Sequence, residues 1–244
     1  MKLLPDAWLS KIFGYDVIRV VLEKDDLPEP GAVFPQATLP PRAFYYAKVP
    51  VTSVEQAGRL TQAGFRVIDV NVTFEREPEQ QTGINSSVLV RDIRPGDEDA
   101  VLDIAETAFI YSRFHLDPLI PMEMANRIKR EWIANYIRKQ RGERLLVAEV
   151  DGKPAGFLAL LVSGETEKTG VIDLIAVARS MQGRGVAKGL IEYHIRDAYR
   201  KYARLAVGTQ IANVPSMRLY ARCGYNISSS TYVLHAHVRE GRIL

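Results

Sequence analysis

The stretch IDLIAVARSMQGRGVAKGL, residues 172–190, decides how this chain is read. Its first half, taken with Val171, is an apolar run that predicts a buried strand over 171–177. The turn Gln182-Gly183-Arg184-Gly185-Val186-Ala187 comes next, and an apolar pattern at helical spacing predicts a helix from about Gly185 to Lys201. Order gives the turn its force. When a glycine turn joins a strand to a helix, the unpaired N–H groups at the helix start can converge on a phosphate, helped by the helix dipole. Gly183 and Gly185 allow backbone conformations and a close approach that side chains would block, and Arg184 and Lys188 can add charge. The plainer alternative is a strand-to-helix turn that uses glycine for geometry alone.

Working outward, RLAVGTQ (204–210) predicts a strand and Asn213–Cys223 a helix closed by Gly224, with a last strand near 230–238. Asn213 and Tyr220 lie seven residues apart, two turns along one helix face. Upstream, RLLVAEV (144–150), the turn Asp151-Gly152 and PAGFLALLVS (154–163) form a hairpin pattern. Met122–Gln140 reads as an amphipathic helix, and 111–121 as an irregular loop rich in rings and charges. Asp97 is placed to cap a helix running to about Phe109, after a strand in SVLVRDI (87–93). The polar run 75–87 reads as a linker. Before it, strands are expected at 15–22, 43–49 and 65–74, a helix at 53–63, and loops with short helical pieces across the prolines of 25–42. The chain therefore divides into an N-terminal unit (1–80) and a larger one (87–244).

The run SVEQAGRLTQAGF (53–65) echoes NVPSMRLYARCGY (213–225) at an offset of 160 residues. The first copy has Ser53 in place of Asn213 and Leu60 in place of Tyr220, and no glycine turn precedes it. Either a half-domain was duplicated and one copy lost its chemistry, or the likeness is chance.

Composition sets bounds. The 244 residues are 47% hydrophobic and 25% charged, ordinary values for a globular protein with a substantial core. A net charge of +3 suits small polyanions but is too weak to argue for nucleic acid, and no Lys/Arg block appears. The single cysteine, Cys223, cannot form an internal disulfide, which points to a reducing compartment. The N-terminal residues lack the apolar core of a signal peptide and no apolar run reaches membrane-span length, so a cytoplasmic location is expected.

IAV (175–177), Gln182-x-x-Gly185-x-Ala187, Asn213, Tyr220 and Cys223-Gly224-Tyr225 together resemble the GNAT acetyltransferase superfamily. The likeness covers about residues 88–238, and Ala187 stands where the family prefers glycine. It implies an α/β (α+β) fold: a mixed, mostly antiparallel twisted sheet flanked by helices, here with a smaller N-terminal α/β half-domain. It also implies acetyl-CoA as acyl donor and no metal. The backbone of Ile175, Ala176 and Val177 would pair with pantetheine, and Gln182, Gly183, Arg184, Gly185, Val186, Ala187 and Lys188 would surround the pyrophosphate. Asn213 would steady the cofactor arm.

Tyr220 is then the candidate general acid, because a phenol stays protonated at neutral pH and can protonate a departing thiolate. Asp173 is a candidate base at the strand lining the site, or a carboxylate paired with Arg or Lys. His194 reads as a solvated helix-face residue, and His235 and His237 are not spaced to suggest a metal. Cys223, beside the glycine cap, is a poor nucleophile, so transfer is expected to be direct, in a ternary complex. The loop AFIYSRFHLDP (108–118), the two-part build and FGYDVIRV (13–20) narrow the resemblance to the acetyltransferases of dTDP-linked amino-dideoxyhexoses in surface-polysaccharide biosynthesis. In that reading Tyr111 or Phe114 stacks on the acceptor, Arg113 pairs with its diphosphate, and Asp117 and His115 bond sugar hydroxyls; the plainer alternative is a surface loop that caps the core with its rings. The rival expectations are a peptide or small-amine acceptor, or a CoA-binding module without catalysis. A homodimer fits either enzyme.

Overall fold

The computed structural model describes residues 1–24, 26–28, 34, 39–79 and 88–244. Most of the proline-rich stretch read as loops and short helices, and residues 80–87 of the linker, lie outside the described residues. The chain opens with β1 (Lys2–Pro5), α1 (Ala7–Phe13), β2 (Asp16–Val21), β3 (Arg42–Pro50), α2 (Val54–Gln62) and β4 (Arg66–Arg76). It continues with β5 (Leu89–Asp92), α3 (Glu98–Thr107), α4 (Met122–Ile137), β6 (Arg144–Val150), β7 (Lys153–Ser163) and β8 (Thr169–Val177). Helix α5 (Val186–Ala198), β9 (Arg204–Gln210), α6 (Val214–Arg222), β10 (Asn226–Arg239) and β11 (Arg242–Ile243) complete it.

All the strands join one sheet in the order β1-β2-β3-β10-β4-β9-β8-β7-β6-β5, with β11 on β10. Among the described residues only β2–β3 and β8–β9 pair in parallel. This is the mixed, mostly antiparallel sheet flanked by helices that was expected. Helix α5 packs on one face, where Leu190, Ile191 and Ile195 are fully buried, each contributing about 1.5–3 kcal/mol. Helices α3 and α4 cover the opposite face around Val147, Phe157 and Ala159.

Several local expectations change. Asp97 precedes α3 without capping it by its side chain. Its carboxylate instead accepts from Arg91 at 2.6 Å and from the Arg94 N–H at 2.8 Å. Glu75 and Arg76, read as linker, still pair with β9. His194, placed by sequence on a solvated face, is 0% exposed, and both its ring nitrogens lack a partner among the described residues. Strand β1 and helix α1 were not anticipated, although Asp6 capping Leu9 N–H at 2.9 Å and left-handed Gly14 after Phe13 are legible boundary signals.

The echo of 53–65 in 213–225 is a local two-fold relation. Thr231 of β10 faces Asn71 of β4, and this pair lies on the pseudo-axis. On one side Thr231 faces Pro50, and on the other Asn71 faces Gln210, the same pairing 160 residues on. The Val51 N–H to Ser230 O bond is matched by Ile211 N–H to Val70 O. Even the parallel pairs correspond, Val20–Ala47 with Ile172–Val207.

Candidate active site

Beyond Ile172 and Val207 the two central strands separate. β8 pairs with β9 only from Thr169 to Ile172, whereas its other edge stays on β7 as far as Val177. Asp173 is the cause: Ile172 faces Leu160 and Leu174 faces Ala159, so Asp173 bulges with no residue opposite. A bulge adds twist and turns a strand away from its neighbour. The β9-side edge of Ile175, Ala176 and Val177 is therefore an open strand edge, the geometry to which an extended polar chain adds as a strand.

The glycine turn stands at the end of that edge. Gly183 and Gly185 have φ of +76° and +80°, which L side chains resist, and a Cβ on either would meet nothing within 4 Å. Room for a ligand thus lies over the turn. The Gly189 N–H donates to Gly185 O at 2.9 Å, the first helical bond, so the amides ahead of it have no helix carbonyl. Gln182 Nε2 donates to Val177 O at 3.3 Å and ties turn to strand. Val186 is buried and Ala187 packs beside it, while Arg184 and Lys188 are exposed, the latter 3.3 Å from Glu192.

Across the wedge, Asn213 caps α6, accepting from the Ser216 N–H at 3.3 Å and donating to Thr209 Oγ1 at 3.2 Å. Tyr220, 3% exposed, packs on Phe74 and Tyr225 with ring centroids 5.7 and 6.2 Å away. Its hydroxyl has no hydrogen-bond partner among the described residues. Burial pushes its pKa well above that of a free phenol, which keeps the proton in place.

The two carboxylates near the wedge differ. Asp173 accepts from Trp132 Nε1 (2.8 Å), the Tyr136 hydroxyl (2.7 Å) and both arms of Arg141 (2.7 and 3.0 Å). Burial would raise its pKa, but these bonds outweigh burial and hold it below the usual carboxylate range. Of the two sequence readings the ion pair is realised, and Asp173 is a weak proton acceptor. Asp69 on β4 was overlooked. It is 7% exposed, its Oδ2 has no partner among the described residues, and burial raises its pKa. No sequence signal marks it, because only the sheet order brings β4 beside β9.

The loop 111–121 is pinned inward. Phe114, expected to stack on an acceptor, is 1% exposed and packs with Phe44 and Ile128, so it belongs to the core instead. His115 is held by Ser112 Oγ at 2.6 Å and Asn126 Oδ1 at 3.0 Å, which occupies both ring nitrogens and opposes the sugar-binding role. Tyr111 is half-buried.

Arg113 lies between the Tyr46 and Phe114 rings, at 4.1 and 4.2 Å, with Nη1 3.1 Å from His235 Nε2. His235 Nδ1 and His237 Nε2 both donate to Asp117 Oδ2, at 2.7 and 2.8 Å. The three converge because residues two apart on β10 share a face. No metal spacing is visible for His235 and His237 in the sequence, but with Asp117 from the loop they do place three ligand atoms within 4.8 Å of one another. The Arg113 cation borders the group, and the two rings already satisfy the carboxylate.

Residues 101–225 match the model of the acetyltransferase (GNAT) family, and the chain belongs to that family. It is an acyltransferase of a family that takes its acyl group from acetyl-CoA. The open strand edge and the uncovered glycine turn fit that donor. The chain is 25% identical over 95% of its length, and 96% of the relative's, to dTDP-fucosamine acetyltransferase of Escherichia coli O6:H1. It is 31% identical over 58% of its length to the spore coat polysaccharide biosynthesis protein SpsD of Bacillus subtilis, spanning about half (48%) of that protein. In fold it is similar to a conserved protein of unknown function from Staphylococcus epidermidis (TM-score 0.60, 16% identity, 82% of this chain and 73% of that one). A GCN5-related N-acetyltransferase from Kribbella flavida is similar as well (TM-score 0.58, 13% identity, 90% and 80%). No helix among the described residues is long and apolar enough to cross a membrane.

Proposed function

We propose that this protein transfers an acetyl group from acetyl-CoA to the amino group of a nucleotide-linked amino sugar, a dTDP-amino-dideoxyhexose, by direct attack in a ternary complex. The observation that carries this is similarity to dTDP-fucosamine acetyltransferase along both chains, from the N-terminal strands to β10. Residues 1–80 act as an acceptor-side unit and 87–244 as the catalytic unit.

The amides of residues 183–188 hold the donor's pyrophosphate, and Ile175, Ala176 and Val177 align its pantetheine arm along the open edge of β8. Asn213 fixes the start of α6, and thereby the position of Tyr220. The neutral sugar amine forms a C–N bond at the thioester carbon. As the C–S bond breaks, Tyr220 gives its proton to the sulfur, and the amine's surplus proton leaves to a carboxylate directly or through water. Asp69, with a free oxygen and a raised pKa, suits that last step better than Asp173. Tyr111 and Arg113 face the acceptor.

The test is a panel of dTDP- and UDP-amino sugars, peptides and small amines, assayed with acetyl-CoA. Turnover on a dTDP-amino sugar at a kcat/KM at least about 100-fold above the other amines is expected. Exclusive acetylation of peptides would remove the sugar assignment. Label left on the protein after incubation with radiolabelled acetyl-CoA alone would remove the ternary mechanism.

A further inference from the structure

Lys129 has no acidic partner among the described residues. It is 7% exposed on the inner face of α4, with Nζ 4.8 Å from the Phe109 ring and 5.0 Å from the Trp132 ring. No carboxylate among the described residues lies within ion-pair distance of it. The nearest influential one, Asp173, has both oxygens committed to Arg141, Trp132 and Tyr136. Removing an ammonium from water without a counter-ion costs several kcal/mol, roughly. A pocket that keeps such a group has a use for its charge.

Three more cations with no ion-pair partner among the described residues lie on the same side of the sheet, Arg113 half-buried and Arg19 and Lys48 exposed. Arg113 is clamped between two rings and oriented by the Asp117–His235 pair. Asp6, the carboxylate that acts on it electrostatically, is occupied by the Leu9 N–H and the Tyr46 hydroxyl. Arg19 stands opposite Tyr46 across β2–β3, and Tyr46 stands opposite His235 across β3–β10, so these three share one rung and one face. Lys48 follows Tyr46 by two residues on β3 and points to that face as well. Burial first, then repulsion from Arg113 and Lys48, lowers the Lys129 pKa to about 7. Lys48 keeps an exposed side chain, yet the protein packed around its ammonium, then Arg113 and Arg19, lowers its pKa to about 8. Two half-buried arginines at the far edge of the sheet show the other arrangement, Arg91 held by Asp97 and Glu149 and Arg144 by Asp92 and Asp197.

We infer that Lys129, Arg113, Lys48 and Arg19 form a second pyrophosphate-binding pocket, separate from the glycine turn, which seats the nucleoside diphosphate of the acceptor. The pocket gives the N-terminal strands a direct function, since β2 and β3 supply Arg19 and Lys48. It rests on the nucleotide-linked acceptor of the proposed function.

Calorimetry on the full chain with CoA saturating, so that the glycine turn is occupied, separates the two anion sites. Inorganic pyrophosphate and dTDP serve as probes. One equivalent of either is expected to bind, and K129M to weaken both by about tenfold or more, with CoA affinity changed less than about twofold. K48M should weaken them by a smaller factor. Replacing a buried unpaired ammonium with a thioether should raise the melting temperature of K129M, so loss of binding cannot be charged to misfolding. Absence of saturable binding by both probes, or an unchanged affinity in K129M, overturns the pocket. If both probes bind as expected but no nucleotide sugar is acetylated, the pocket stands and the acceptor assignment falls. If a dTDP-amino sugar is acetylated with the same KM by wild type and K129M, the reverse holds.

Discussion

Helix α2 with its flanking turns and helix α6 with its own are the same object built twice. Ser53 and Asn213 begin them at φ of −94° and −87°. Both end through the same bonds: Phe65 N–H to Leu60 O and Tyr225 N–H to Tyr220 O, each 3.0 Å. Each helix then feeds a strand, and those two strands pair across the pseudo-axis. Yet Leu60 is sealed in a core of Phe65, Ala57 and Leu234, whereas Tyr220 presents a hydroxyl with no partner among the described residues. Apolar spacing and a Gly-aromatic close are enough to fix the backbone. Two side chains, and the wedge that only β8 and β9 open, make one copy a candidate catalyst.

The sharpest way to break this comparison is to remove the Tyr220 hydroxyl. Tyr220→Phe keeps the ring packing that Leu60 supplies in the other copy. It should lower kcat by about 10²–10⁴-fold with CoA affinity nearly unchanged, measured by steady-state kinetics and calorimetry. Equal loss of kcat and CoA binding would mean the residue is structural. The opposite experiment is Leu60→Ala, which should cost about 2–5 kcal/mol in urea unfolding and leave the kcat of the folded fraction intact.

Helix α5 adds a third contrast, since it carries His194 without a bonding partner among the described residues. Burial lowers the pKa of His194 to about 4, so the unfolded chain, with an ordinary value near 6.5, binds the proton first. Stability is therefore complete above about pH 6.5 and declines as pH falls toward 4. His194→Met should recover about 2–3 kcal/mol at pH 4 and little at pH 7.5, read from denaturation midpoints at the two pH values. The smallest effect compares the caps. Asn213→Ala should cost about 1 kcal/mol of stability, and Ser53→Ala only a few tenths, because Ser53 makes no side-chain cap bond. Equal costs would show that the two caps are equivalent after all.

What could be read before folding was whatever depends on neighbours in the chain. The strand–turn–helix at 172–190, the hairpin through Asp151-Gly152 and the two echoing helices are local patterns of apolar spacing and glycine. Each appears within a few residues of its expected bounds. Helix α4 ends three residues early at Ile137, and α5 ends at Ala198, short of the expected Lys201. Side-chain partners were legible only in part. Asp173 could be seen as a carboxylate beside the site, but Arg141, Trp132 and Tyr136 reach it from another element. Phe114 and His115 looked like surface groups because nothing local shows that α1, β3 and α4 close over them.

The sequence alone determined the glycine turn, the phenol two turns from an amide, and the family to which they belong, since backbone preference and periodicity act over a few residues. Tertiary structure decided which strands separate, which carboxylate is tied up, and where unpaired cations collect. Those outcomes depend on sheet order and on distances between residues far apart in the chain, and electrostatics and burial follow spatial separation.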